Sequence, residues 1–255
     1  MNPKELQEKA LSLLQPLLLD AYEMVVEPRE KKSEDSRFCS HFNGDPYFEP
    51  GEEWPMLSVG KKNIVKEPYD FIFQVVNDGT IGLPESIAIF QFYCIHDRMP
   101  CREGWLVKTY GAMDRTNGIT IESPIKRDHD HDTRKYCAIT FERIRLLPDW
   151  FDIDDYVPQK ELTKLCKGLE EFQVEKYSFE IYKELCHVLQ AKTDAQSHCG
   201  GYPRWVQGND VRGDKLAFQI EPGNKSDILW DLYGVMYLFF DSQKEGEFLL
   251  TIQCD

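Results

Sequence analysis

The sequence predicts a mainly β protein, α+β overall, made of two related antiparallel β units with an N-terminal helix and a helical connection. Three observations carry this expectation. Most of the 255 residues after the N-terminus show period-two alternation or short continuous apolar runs, helical spacing is confined to the start and to 158–192, and three short blocks occur twice in one order. The expected organisation is a single domain, 1–255, with an N-terminal helix over 1–26, a first β unit over 36–146, the helical connection over 158–192 and a second β unit over 195–255.

Asn2-Pro3-x-Glu5 opens the first helix, with Asn as cap, Pro in the first turn and Glu able to reach back. Leu6, Ala10, Leu13, Leu14, Leu17, Leu18, Ala21 and Val25 continue at helical spacing, and Pro16 predicts a kink or break near Gln15. Glu27 to Asp35 reads as a charged loop. Strands are then expected at Tyr69 to Val76, Ile87 to Ile95, Trp105 to Tyr110, Ile119 to Ile121 and Tyr136 to Ile144, separated by turns such as Asn77-Asp78-Gly79 and Asn117-Gly118. Leu162, Leu165, Cys166, Leu169 and Phe172 form one helical stripe, and Ile181, Tyr182, Leu185, Cys186 and Leu189 a second. Strands resume at Leu216 to Ile220, Val235 to Phe240 and Phe248 to Gln253.

The repeat is the strongest signal. Ser40-His41-Phe42-Asn43-Gly44-Asp45-Pro46-Tyr47-Phe48 matches Ser197-His198-Cys199-Gly200-Gly201-Tyr202-Pro203-Arg204-Trp205. Downstream, Phe73-Gln74-Val75 matches Phe218-Gln219-Ile220, and Phe90-Gln91-Phe92-Tyr93 matches Tyr237-Leu238-Phe239-Phe240. Each Gly-x-Pro is turn chemistry: the glycine permits a left-handed backbone and the proline fixes an extended exit. The Phe-Gln strands are apolar on both faces, so Gln74 and Gln219 are expected to be buried and hydrogen-bonded.

These residues resemble a family. Gly201-Tyr202-Pro203-x-Trp205-x-Gln207, Phe218-Gln219-Ile220 and Trp230-Asp231-x-x-Gly234-x-x-Tyr237-x-Phe239-Phe240, with Gly44-x-Pro46, Glu53-Trp54-Pro55 and Phe73-Gln74 upstream, look like the bacterial YwqG-like domain of unknown function. More distantly they resemble the eukaryotic programmed-cell-death-protein-two family. The resemblance runs from about Phe38 to Asp255 and implies two intertwined copies of a β unit, with chaperone-like or toxin-neutralising protein binding and no catalytic residues. It makes Gly44, Pro46, Trp54, Gln74, Gly201, Pro203, Trp205, Gln207, Gln219 and Asp231 motif residues of structural weight. Two departures stand out. Met56, Leu57 and Ser58 replace the paired cysteines that many relatives carry after Trp-Pro, so no zinc site is supported there, and Leu232-Tyr233 precedes Gly234 where a smaller or acidic pair is expected.

The net charge of −14 disfavours duplex nucleic acid and anionic membrane surfaces, both of which are bound through Lys and Arg. No apolar run approaches the roughly 18 residues of a membrane span. A charged N-terminus without an apolar segment, and eight cysteines with no C-x-x-C spacing, lead to the expectation of a cytoplasmic chain with reduced thiols. The partner expected from charge is a basic protein, the oligomeric state monomer or weak oligomer, and no cofactor is implied. The acidic, aromatic segment from Asp149 to Tyr156 supplies the candidate contact, with Trp150 as anchor and Asp152, Asp154 and Asp155 at its rim. One alternative is a metal-dependent enzyme using Asp128-His129-Asp130-His131-Asp132, in which His129 and His131 have ligand spacing but no nominated third ligand. Another is a small-ligand site in a cleft between the halves.

Overall fold

The computed structural model describes residues 1–29, 36–60, 64–95, 104–125, 135–173, 175–208, 215–223, 225–226, 234–244 and 246–254. Helix α1 (Pro3–Leu14) is closed by a capping box: Glu5 N donates to Asn2 Oδ1 and Asn2 N to Glu5 Oε2, both at 3.0 Å. It buries Leu6, Ala10 and Leu14. The helix stops there. A 3-10 turn covers Gln15–Leu17, and Leu19–Pro28 is strand β1, which corrects the helix expected to residue 26. Pro16 has no N–H to carry the helix onward, and a spacing of four, as from Ala21 to Val25, keeps two residues on one face of a strand as well as of a helix. Pairing decided between the two: β1 matches β8 (Cys137–Leu146) over its whole length, from Leu19↔Leu146 to Pro28↔Cys137.

The other strands are β2 (His41–Phe42), β3 (Met56–Val59), β4 (Val65–Pro68), β5 (Asp70–Val76), β6 (Ile89–Cys94), β7 (Trp105–Tyr110), β9 (His198–Gly200), β10 (Lys215–Ile220), β11 (Val235–Phe240) and β12 (Phe248–Gln253). β3 and β4 form a separate hairpin. The remaining ten make one antiparallel sheet in the order β12-β11-β10-β9-β1-β8-β2-β5-β6-β7. Outward from the central β1-β8 pair the two sides run β9-β10-β11-β12 and β2-β5-β6-β7. β1 precedes β2 in the chain yet lies beside β9, while β8 precedes β9 and lies beside β2. The two Phe-Gln strands, β5 and β10, hold corresponding places. Each carries a register shift, one between Phe71 and Phe73 and the other between Leu216 and Phe218. Gln91 pairs with Gln74 and Tyr237 with Gln219, so the strand register shifts the sequence match of Phe90 with Tyr237 by one residue.

The sheet folds over on itself. Phe73 on β5 and Phe218 on β10 stand five strands apart, about 24 Å in a flat sheet, yet their ring centroids are 5.5 Å apart. Phe90 packs at 4.7 Å from Phe218 and 5.5 Å from Phe248. These aromatic side chains pack together between the two halves of the sheet. Helices α2 (Ile153–Tyr156), α3 (Glu161–Glu170) and α4 (Ser178–Val188) pack with α1 around a second core that includes Ala10, Leu14, Leu162, Cys166 and Tyr182.

Candidate functional site

Two matching amide clamps hold the Gly-x-Pro loops onto the sheet. Tyr47 N donates to Gln74 Oε1 at 2.9 Å, and Arg204 N donates to Gln219 Oε1 at 2.8 Å, each from the residue after the proline. Ser40 Oγ accepts from Val76 N at 2.9 Å, and Ser197 Oγ from Glu221 N at 3.0 Å. Two successive residues with positive φ precede each proline, Asn43 and Gly44 in the first half and Gly200 and Gly201 in the second. A Cβ on Gly201 would lie 2.8 Å from both Ala21 Cβ and Leu146 Cδ1, so the loop packs directly on the central strand pair.

Around Gln74 the clamp is complete. Its Nε2 donates to Arg37 O and Cys39 O at 2.8 and 3.0 Å, and its Oε1 also accepts from Gln91 Nε2 at 2.8 Å. Gln91 Nε2 reaches Tyr47 O, and Tyr93 Oη donates to Gln91 Oε1 at 2.8 Å. Around Gln219 the donors reach Glu221 Oε1 at 3.0 Å but Ala195 O and Gln196 O only at 3.5 Å. Gln253, expected from the sequence only as the end of a strand, does the corresponding work for the end of this loop: its Oε1 accepts from Val206 N and Gln207 N, and its Nε2 donates to Gly208 O. Gln207 itself donates to Cys254 O. Buried His198 has Nδ1 2.5 Å from Gln196 O and Nε2 3.1 Å from Tyr202 O, and burial pushes its pKa down. The hydrogen bonds of these groups go to the fold itself, as buried polar groups require.

Trp54 is buried and donates through Nε1 to Tyr69 O at 2.7 Å, whereas Trp205 is half-buried, its ring 4.8 Å from Tyr237 and 5.7 Å from Phe239. Asp231 lies outside the described residues, as does the whole segment Asp128 to Asp132 with His129 and His131. Among the described residues no group of three or more His, Cys, Asp or Glu could hold a metal ion.

The acidic, aromatic segment forms a lip between the helices and the second half. Trp150 turns inward, its ring 5.5 Å from Tyr182, whose hydroxyl donates to Pro148 O. Phe151 takes the outward position, 91% exposed. Nothing in the pattern of two adjacent aromatics says which one faces out. Asp154 accepts from Thr163 Oγ1 at 2.7 Å and pairs with Lys160 at 3.5 Å, tying α2 to α3 while its side chain stays 30% exposed. Asp155 is exposed. Asp152 is half-buried, and burial first, then the Asp149 and Asp155 carboxylates, push its pKa up to about 6. Tyr156 stands edge-on to Tyr202 at 4.9 Å, joining the lip to the second Gly-x-Pro loop, and the Asp152 charge adds to the upward shift of both Tyr156 and Tyr237.

A groove of about 560 Å³ is lined by Arg143, Ile144, Arg145, Gln190 and Lys192. Its cations are already engaged: Arg143 with Asp20 at 2.7 Å, Lys192 with Glu23 at 2.7 Å, and Arg145 with Leu189 O at 2.6 Å.

Residues 40–245 match the family DUF1963, a domain of unknown function. The chain belongs to this family. The DUF1963 match contains both amide clamps and the acidic lip, while α1, the central strand β1 and the edge strand β12 fall outside it. No curated protein matches the chain.

Proposed function

We propose that this DUF1963 chain is a non-enzymatic protein-binding module for a basic partner, of the chaperone-like or toxin-neutralising kind that its YwqG-like motifs imply, acting in the cytoplasm. The observation that carries the reading is the lip. Phe151 projects into solvent between Asp149 and Asp152, and Asp152 is kept where its ionisation is disfavoured by burial and by two like charges. A carboxylate placed at a cost to the fold, next to an exposed ring, is what a site for a desolvating cationic contact requires. The net charge of −14 extends the same complementarity over longer range and would speed encounter. Internal duplication belongs to the same proposal, supported by the paired clamps, register shifts and positive-φ loops.

The test is a photo-crosslinking amino acid at position 151 in the full chain, expressed in its own host. Crosslinking to a basic protein, abolished when Asp149, Asp152 and Asp155 become Asn, is the expected outcome. Crosslinking only to acidic proteins, or equal yield from the triple variant, would refute the reading.

A further inference from the structure

We infer that the outer edge of β12, from Phe248 to Ile252, receives an extended segment of the basic partner as an added strand. This rests on the proposed function for the sign of the partner's charge, and on independent geometry for the mode of docking.

β12 ends the ten-stranded sheet. It pairs with β11 in unbroken register from Phe240↔Phe248 to Val235↔Gln253, and among the described strands its other side has no neighbour. Sheet edges are normally guarded by a charge, a proline, a bulge or a covering segment, because unpaired main-chain groups recruit other strands. Phe248-Leu249-Leu250-Thr251-Ile252 contains no charge and no proline. The opposite edge is guarded. Lys108 on β7 lies 2.7 Å from Glu52 and caps the rings of Phe48 and Tyr110 at 4.6 and 4.9 Å.

The β12 edge is also held ready. Phe248, Leu250 and Ile252 pack into the core between the halves, and Leu249 packs with the cluster that includes Trp205 and Tyr237. A strand anchored on both faces loses little further freedom on pairing, so main-chain hydrogen bonds translate into affinity. Charge selects the occupant. Asp241 and Glu247 flank the β11-β12 turn, where Lys244 pairs with Glu247 at 2.9 Å, and the chain as a whole carries −14. A second copy would bring the same carboxylates and another −14 against them, whereas a basic segment would be attracted.

The probe is a blocked peptide of alternating Val and Thr flanked by Arg, used with the full chain and read by amide hydrogen exchange. Phe248, Leu250 and Ile252 point their amides away from β11, and exchange at these three is expected to slow at least about tenfold on binding, while N-methylation of one set of alternate peptide amides, but not the other, should weaken binding roughly tenfold. Leu250→Pro removes one of these outward amides and should weaken binding similarly, and exchange on the wild-type chain decides the question if that variant misfolds. Slowing confined to 149–156, equal binding by both N-methylated forms, or no binding overturns strand addition without touching the lip. Equal protection by a Glu-flanked peptide overturns the basic chemistry and with it the proposed function. Slowing that rises with protein concentration in the absence of peptide would assign the edge to a second copy and overturn the inference.

Discussion

The two halves of the sheet use the same clamp and finish it differently. In the first half, the loop after Gly44, the β3-β4 hairpin and residues 111–121 cover the outer face, burying Tyr47, Phe48 and Trp54 over the Gln74–Gln91–Tyr93 network. Among the described residues of the second half, the cover is the loop over 201–208, Trp205 is partly exposed, and the amide of Gln219 makes its longest contacts at 3.5 Å. Among the described residues the first half is the more fully covered. The lip, the partly exposed Trp205 and the uncharged edge strand all lie on the second side.

The largest expected effect tests this contrast directly. Trp54→Ala should destabilise the chain by about 3–5 kcal/mol, as removal of a buried indole does, while Trp205→Ala should lose about 1–2 kcal/mol because its ring is only partly buried. Equal losses in chemical denaturation would break the comparison. Next, Gln74→Leu strands Tyr47 N, Gln91 Nε2 and two carbonyls, and should lose about 2–4 kcal/mol, against about 1–2 for Gln219→Leu. A reversed order would place the stronger clamp in the second half.

Asp152→Asn sharpens the comparison through pH. The folded pKa of about 6 lies above the ordinary 3.8, so this group burdens the fold only when ionised. The penalty is absent below the ordinary value and grows as pH rises through about 6. The variant should therefore melt higher than wild type at pH 8 and equally at pH 3.5, and a constant difference across that range would remove the burial argument. The smallest effect on stability is expected from Phe151→Ala, within about 0.5 kcal/mol, since the ring touches mostly water. Its loss should appear instead as faster dissociation of the captured partner, and unchanged dissociation would remove the ring from the contact.

Much of this was legible in the residues. The ordered repeat pointed to the corresponding places of β5 and β10, the alternation of Phe71 to Val76 to a strand buried on both faces, and Asn2-Pro3-x-Glu5 to a capped helix, because each is a local pattern with a local cause. Long-range pairing was not. Ala21 and Val25 suit a helix and a strand equally, and only β8 and β9, more than a hundred residues downstream, made that segment the middle of the sheet. The site divides in the same way. Sequence alone marked the acidic, aromatic run before the helices, since composition is visible without coordinates. Which of Trp150 and Phe151 faces water, that Asp154 bonds to Thr163 and Lys160, and that β12 ends the sheet among the described strands depended on tertiary structure, because burial and edge position are properties of neighbours that the chain brings together only by folding.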